Sequence, residues 1–144
     1  MNGSGSKLAR LLAKYNYFHD GILKAVKFSA SDGFSGKSHS LTITGLFKAV
    51  LDIAHYNFRD NLDRKPLRFR FELEEAGPFS FCSNGETGTP NHWALRKVLV
   101  RPVKNKPGKL RLELLGDKYS VKAGKWVGIR LAVIEFATYK VKIS

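Results

Sequence analysis

Residues 67–74 read LRFRFELE, and this stretch decides the fold class. Its odd-numbered residues are leucine or phenylalanine, and its even-numbered residues are arginine or glutamate. Successive side chains of a β-strand point to opposite faces, so this pattern creates one apolar face and one charged face. A strand of this kind packs one face on a core and leaves the other in water, which is typical of an antiparallel sheet.

Other segments along the chain have similar alternation or high β-branched and aromatic content, and polar turn sequences separate them. The further predicted strands are residues 22–28, 41–44, 47–58, 79–81 (a short return strand), 93–103, 110–114 and 126–143. The predicted loops and turns are residues 29–40, 83–92, 105–108 and 116–117.

Two of these strands carry more specific predictions. Residues 46–55 can also be drawn as a helix, but the alternation across 47–58 favours a strand. In the last segment we expect Val127, Ile129, Leu131 and Val133 to face the core.

One helix is predicted, at residues 7–17, where Leu8, Leu11, Leu12 and Tyr15 form an apolar stripe. Gly21 is the natural stop after it. Seven or eight short strands with one N-terminal helix predict an all-β antiparallel sandwich or barrel. We expect residues 1–6 to be a flexible leader and residues 7–144 to form a single domain.

The composition supports a folded, strongly basic domain. Hydrophobic residues make up 43% of the 144 residues, and the net charge is +13. A charge of this size attracts nucleic acid, anionic membranes or acidic proteins. Cys82 is the only cysteine, and no apolar stretch approaches the roughly 20 residues of a membrane-spanning helix. We therefore expect a cytoplasmic protein without disulfides.

The motifs for catalysis and metal binding are weak. The four histidines are His19, His39, His55 and His92, and none lies within four residues of another. Cys82 follows an apolar segment and is interpreted as packing. No phosphate-binding loop or serine elbow is present. We predict no catalytic residues, no metal and no cofactor; an enzyme would require His19, Asp20 and His55 to converge in a cleft.

The most informative feature is a run of basic residues between Glu86 and Glu113 that contains no acid. Its members are Arg96, Lys97, Arg101, Lys104, Lys106, Lys109 and Arg111. Basic strands interleaved with aromatics are suited to binding single-stranded nucleic acid, because cations contact phosphates and rings stack on bases. The run therefore predicts a site for an anionic partner, with nucleic acid as the candidate and Trp93 and Trp126 as candidate aromatic contacts. The alternative is that these lysines and arginines only form a solvated surface.

Two short motifs point to a second function class. Residues 18–22 read FHDGI and residues 55–58 read HYNF. A His-Asp-Gly leading into the first strand, followed by this later motif, resembles small uncharacterised bacterial all-β domains, some of them immunity-protein-like. The resemblance implies a protein-interaction or immunity-type module without catalytic residues. Many immunity proteins are acidic, so a basic relative of this kind would require an acidic target surface.

Overall fold

In a computed structural model of the protein, residues 3–30, 33–35, 40–42, 47–55, 66–81 and 94–144 are described. The elements are α1 (Gly3–Lys14), a 3-10 helix (Asn16–Phe18), β1 (Ile22–Ala30), β2 (Gly33–Ser35), β3 (Ser40–Thr42), β4 (Phe47–His55), β5 (Leu67–Ala76), β6 (Phe79–Phe81), β7 (Lys97–Pro102), β8 (Leu110–Ser120), β9 (Lys125–Phe136) and β10 (Thr138–Ile143).

These strands form an antiparallel β-sandwich, which confirms the predicted fold class. The first sheet has the strand order β1-β4-β5-β10, and the second has the order β6-β9-β8-β7. A small ribbon of β2 and β3 lies outside both sheets. Phe69, Phe71 and Leu73 of β5 are fully buried in the core, so the LRFRFELE stretch faces inward as its alternation predicts.

The helix α1 contributes to the same core. Leu8 and Leu12 are buried, Leu11 and Tyr15 pack beside them, and the helix lies against β7. It begins at Gly3, so residues 3–6 of the expected flexible leader are helical, and it ends at Lys14 before the predicted end. The backbone beyond it is left-handed, with φ values of 51° at Asn16, 54° at Tyr17 and 58° at Phe18, so the α-helix does not continue. Within the described part of the chain, no helix is long and apolar enough to cross a membrane.

Two strand connections, at Gly77–Pro78 and at Ala137, run side by side from one sheet to the other and form a bent ribbon. The chain leaves the first sheet at Gly77 and Pro78 to enter β6, and it returns from β9 to β10 at Ala137. Backbone hydrogen bonds join the two bends: Gly77 N–H donates to the Glu135 carbonyl at 2.8 Å, and Ala137 N–H donates to the Glu74 carbonyl at 3.0 Å. Consequently β6 pairs with β9 in the second sheet instead of returning along β5.

Four local predictions differ from the structure. The predicted strand 126–143 is two strands, β9 and β10, which belong to different sheets. Residues 29–40 are not a simple loop, since β1 extends to Ala30 and β2 lies within this stretch. Gly116 is not in a turn, because β8 continues through it to Ser120. Val133 does not face the core: Ala132, Ile134 and Phe136 are buried instead.

The reversal at Val133 has a physical cause. The pairing of β8 with β9 shifts register between Leu114 and Leu115, opposite Leu131. One extra residue in one strand changes which face the following side chains occupy. Ile129 and Leu131 therefore pack in the core as predicted, whereas beyond Leu131 the even-numbered residues face inward.

Candidate functional site

Part of the predicted basic run lies on the outer face of the second sheet. Arg101 on β7 is directly opposite Arg111 on β8, which is opposite Glu135 on β9. Side chains directly opposite one another share a face. Lys97 and Arg130 belong to another row of the same face. The predicted hairpin at 105–108 is present and joins β7 to β8.

Acids from beyond the run lie among these cations. Three of the seven predicted residues form ion pairs with them: Arg96–Asp117 at 3.3 Å, Arg101–Glu113 at 3.6 Å and Lys106–Glu135 at 3.4 Å. Glu113 and Glu135 are only 5% and 7% exposed. The run contains no acid along the chain. In the folded protein, however, β8 and β9 bring these carboxylates beside its basic side chains.

The other four predicted residues have no acidic partner among the described residues. Lys97 Nζ lies 5.3 Å from the centre of the Tyr17 ring, an arrangement suited to a cation–π contact. Lys109 Nζ donates to the backbone carbonyl of Glu75 at 2.9 Å, and Lys104 is exposed. Arg111 Nε is buried and has no hydrogen-bond partner in the described part of the chain.

One of the two predicted aromatic contacts can be assessed. Trp126 is 58% exposed near the start of β9. It lines a shallow depression of about 280 Å³ together with Arg96, Asp117, His19 and Asp20. Arg96 and Trp126 thus lie together at one end of the second sheet. Trp93, Cys82, His39, His92 and residues 56–58 lie outside the described residues.

Of the residues considered for an enzyme, His19 and Asp20 line the depression beside Trp126, and His55 is not among its described lining residues. His19 Nδ1 lies 3.0 Å from Asp20 Oδ2, and both side chains are exposed. His55 is buried at the end of β4, where burial lowers its pKa and the nearby Asp20 charge partly opposes this shift. Nowhere in the described part of the chain do three His, Cys, Asp or Glu side chains gather as a metal site would require.

A second concentration of positive charge lies elsewhere, and the sequence analysis missed it. Five basic side chains line a groove of about 1080 Å³ between α1 and β10: Lys7, Arg10, Lys14, Lys140 and Lys142. They come from opposite ends of the chain, so no continuous run in the sequence indicates them. The available signal was the basic side of the predicted helix.

Comparison of the chain with protein-family models, with curated proteins and with solved structures found no match. The resemblance to immunity-type domains therefore stays a prediction, and function is inferred from the residues themselves.

Proposed function

We propose that this protein is a non-enzymatic binding domain whose anionic partner is single-stranded nucleic acid, bound on the outer face of the second sheet. The observation that carries the proposal is the placement of Arg101 opposite Arg111, with no acid paired to Arg111 among the described residues. The depression at Arg96 and Trp126 extends this face at one end.

Two arginines directly opposite one another on paired strands are an unusual arrangement. Like charges directly opposite one another destabilise a sheet, so an anion between them relieves a cost that the free protein carries. Glu113 supplies one such anion to Arg101. The buried Nε of Arg111 has no hydrogen-bond partner among the described residues, whereas a buried polar group normally has one. A phosphate matches the planar guanidinium because both can form paired hydrogen bonds.

The aromatic component of the site favours single strands. Trp126 and Glu135 both lie on β9. The strand between them is about 30 Å long, at roughly 3.3 Å per residue. An exposed indole at one end of such a face can stack on an unpaired base, which a duplex keeps inside its helix. The net charge of +13 would speed the encounter with either form, so the preference comes from stacking.

The proposal is tested by titrating the protein with fluorescent oligonucleotides of about 12 nucleotides, single-stranded and duplex, at about 50 and about 200 mM salt. We expect saturable binding with a preference for single strands that persists at the higher salt. A combined Lys97→Gln, Lys104→Gln and Arg111→Gln variant removes three cations that have no acidic partner in the described parts of the chain. Its log–log salt slope should be smaller by about 2, since each single-strand phosphate contact contributes about 0.7.

The matched control removes three cations from the first sheet: Lys24→Gln, Lys27→Gln and Arg68→Gln. It has the same net charge as the test variant and should keep the wild-type preference and slope. Trp126→Ala should weaken binding by about 1–3 kcal/mol for every base composition, as expected for stacking. Equal losses in the test and control variants, or binding that disappears at the higher salt, would reject the proposal and direct the search to protein partners.

A further inference from the structure

The groove between α1 and β10 combines an apolar floor with a basic rim. Leu11, Val141 and Ile143 contribute apolar surface, while the five lysines and arginines named above surround it and no acid lines it among the described residues. Lys142 Nζ lies 3.2 Å from Glu72 Oε1 on the outer face of the first sheet and lowers the pKa of that carboxyl. The other four cations have no ion pair within the described part of the chain.

Among the described residues, the wall formed by β10 is an open strand edge. β10 pairs there only with β5 and is the last strand of the first sheet. Arg68 and Ser144 exchange two backbone hydrogen bonds of 2.9 Å, which fixes the alternation along the pair. It follows that Tyr139, Val141 and Ile143 direct their backbone N–H and C=O groups away from β5, on the groove side.

The helix holds this edge at a defined distance. The Tyr139 hydroxyl donates to the Ser4 carbonyl at 2.8 Å, joining β10 to the first turn of α1. The phenol is partly buried, and burial raises its pKa, so it remains a neutral donor at physiological pH. Because α1 is anchored here, the groove is formed before any ligand arrives.

We infer that the groove binds an extended acidic peptide, which adds to β10 as a further strand of the first sheet. Main-chain hydrogen bonds to Tyr139, Val141 and Ile143 would supply affinity, as in other cases of strand addition to an open edge. The basic rim selects acidic side chains. A volume of about 1080 Å³ slightly exceeds the range of about 300–1,000 Å³ typical of small-molecule sites, which suits a segment of chain.

The charges also argue against a second copy of this protein as the occupant. Pairing β10 with another β10 would bring Lys140 and Lys142 close to the same lysines of the other chain, and lysines on an edge strand oppose such association. The same two lysines attract an acidic strand. The best ligand alternates apolar residues, which face Leu11 and the floor, with glutamate or aspartate on the side of Lys140 and Lys142.

Hydrogen exchange measured by NMR on the whole protein tests this arrangement amide by amide. The probe is a labelled peptide of about ten residues with alternating valine and glutamate. The amides of Tyr139, Val141 and Ile143 should exchange quickly in the free protein and become protected when the peptide binds. The amides of Lys140 and Lys142 donate to β5 in both states, so their protection should change little.

Two sets of variants separate strand addition from simple charge attraction. Peptides N-methylated at alternate residues lose the hydrogen bonds of one edge, so one methylation phase should abolish binding while the opposite phase binds. Lys7→Glu with Arg10→Glu should weaken the peptide at least tenfold. Lys122→Glu with Lys125→Glu, which changes the net charge equally at the β8–β9 hairpin, should not.

The inference is overturned if both methylation phases bind equally, or if the three edge amides stay unprotected at saturation. It is also overturned if anionic lipid vesicles or oligonucleotides, but not the peptide, protect the groove. The peptide results do not bear on the oligonucleotide titration, since the peptide groove and the outer face of the second sheet consist of different residues. Protection of the groove by oligonucleotides would, in addition, contradict the proposed binding face.

Discussion

His55 ends β4 with its ring inside an aromatic cluster. The centre of its ring lies 5.4 Å from that of Phe18 and 6.3 Å from that of Phe69, both in edge-on geometry. Its Nδ1 is buried without a hydrogen-bond partner among the described residues. An imidazole in this position acts as an aromatic packing group whose polar atom and potential charge both oppose folding.

This environment predicts a pH-dependent stability. Because burial lowers the pKa of His55 in the folded protein, the unfolded chain binds more protons below about pH 6.5, the ordinary value for histidine. The free energy of unfolding should therefore decrease as the pH falls below that value. His55→Phe should remove this contribution and raise the unfolding free energy by about 1–3 kcal/mol at pH 5.5. Urea denaturation at pH 7.5 and 5.5 measures both effects.

His19→Ala provides the comparison, since His19 is exposed and contacts Asp20 on the surface. It should retain the loss of stability on acidification that His55→Phe removes. A His55→Phe protein with an unchanged difference between the two pH values would show that other groups cause the acid sensitivity.

At the scale of single elements, β8 runs straight through Gly116. A Cβ at this position would lie 2.7 Å from Leu131 Cδ1 and 2.9 Å from the Ala94 carbonyl oxygen. The second of these is backbone and cannot move aside cheaply. Gly116→Ala should therefore lower the free energy of unfolding by about 1–3 kcal/mol, as overpacking does, and thermal denaturation measures the loss.

Gly128 on the neighbouring strand is the matched control for this substitution. A Cβ there would meet only Arg96 Nη1 at 3.6 Å, an ordinary contact distance. Gly128→Ala should leave stability nearly unchanged. If both variants lose the same stability, the effect reflects strand glycines in general and not the close approach at Gly116.

The two glycines illustrate what the sequence could predict about elements. Strand existence and inward faces were predictable at LRFRFELE, where period-two alternation is complete, and at β4, where strand was favoured over helix. The strand through Gly116 was not, since glycine is usual in turns and its need for close packing appears only when Leu131 and Ala94 are in place. The register shift opposite Leu131 was equally hidden, because a bulge depends on the pairing of two strands.

At the scale of the molecule, the same limit governs the candidate site. The basic residues 96–111 could be found by counting, and the cross-strand pairing places Arg101 against Arg111 on one face. The carboxylates of Glu113 and Glu135 beside them depend on sheet order, which composition does not reveal. The α1–β10 groove was hidden for the same reason, since its walls are more than a hundred residues apart in the chain.

The bent ribbon has a further consequence for how the chain can be divided. Residues before the 82–93 segment supply three strands of the first sheet and lend β6 to the second; residues after it supply three strands of the second sheet and lend β10 to the first. Each half therefore lacks one strand of its own sheet, and the other half supplies that strand. Fragments 1–87 and 88–144 should each lack native circular dichroism alone and recover it when mixed in equal amounts. If either fragment folds alone, the exchange of strands is dispensable; otherwise the two halves behave as an obligate heterodimer that happens to be covalently joined.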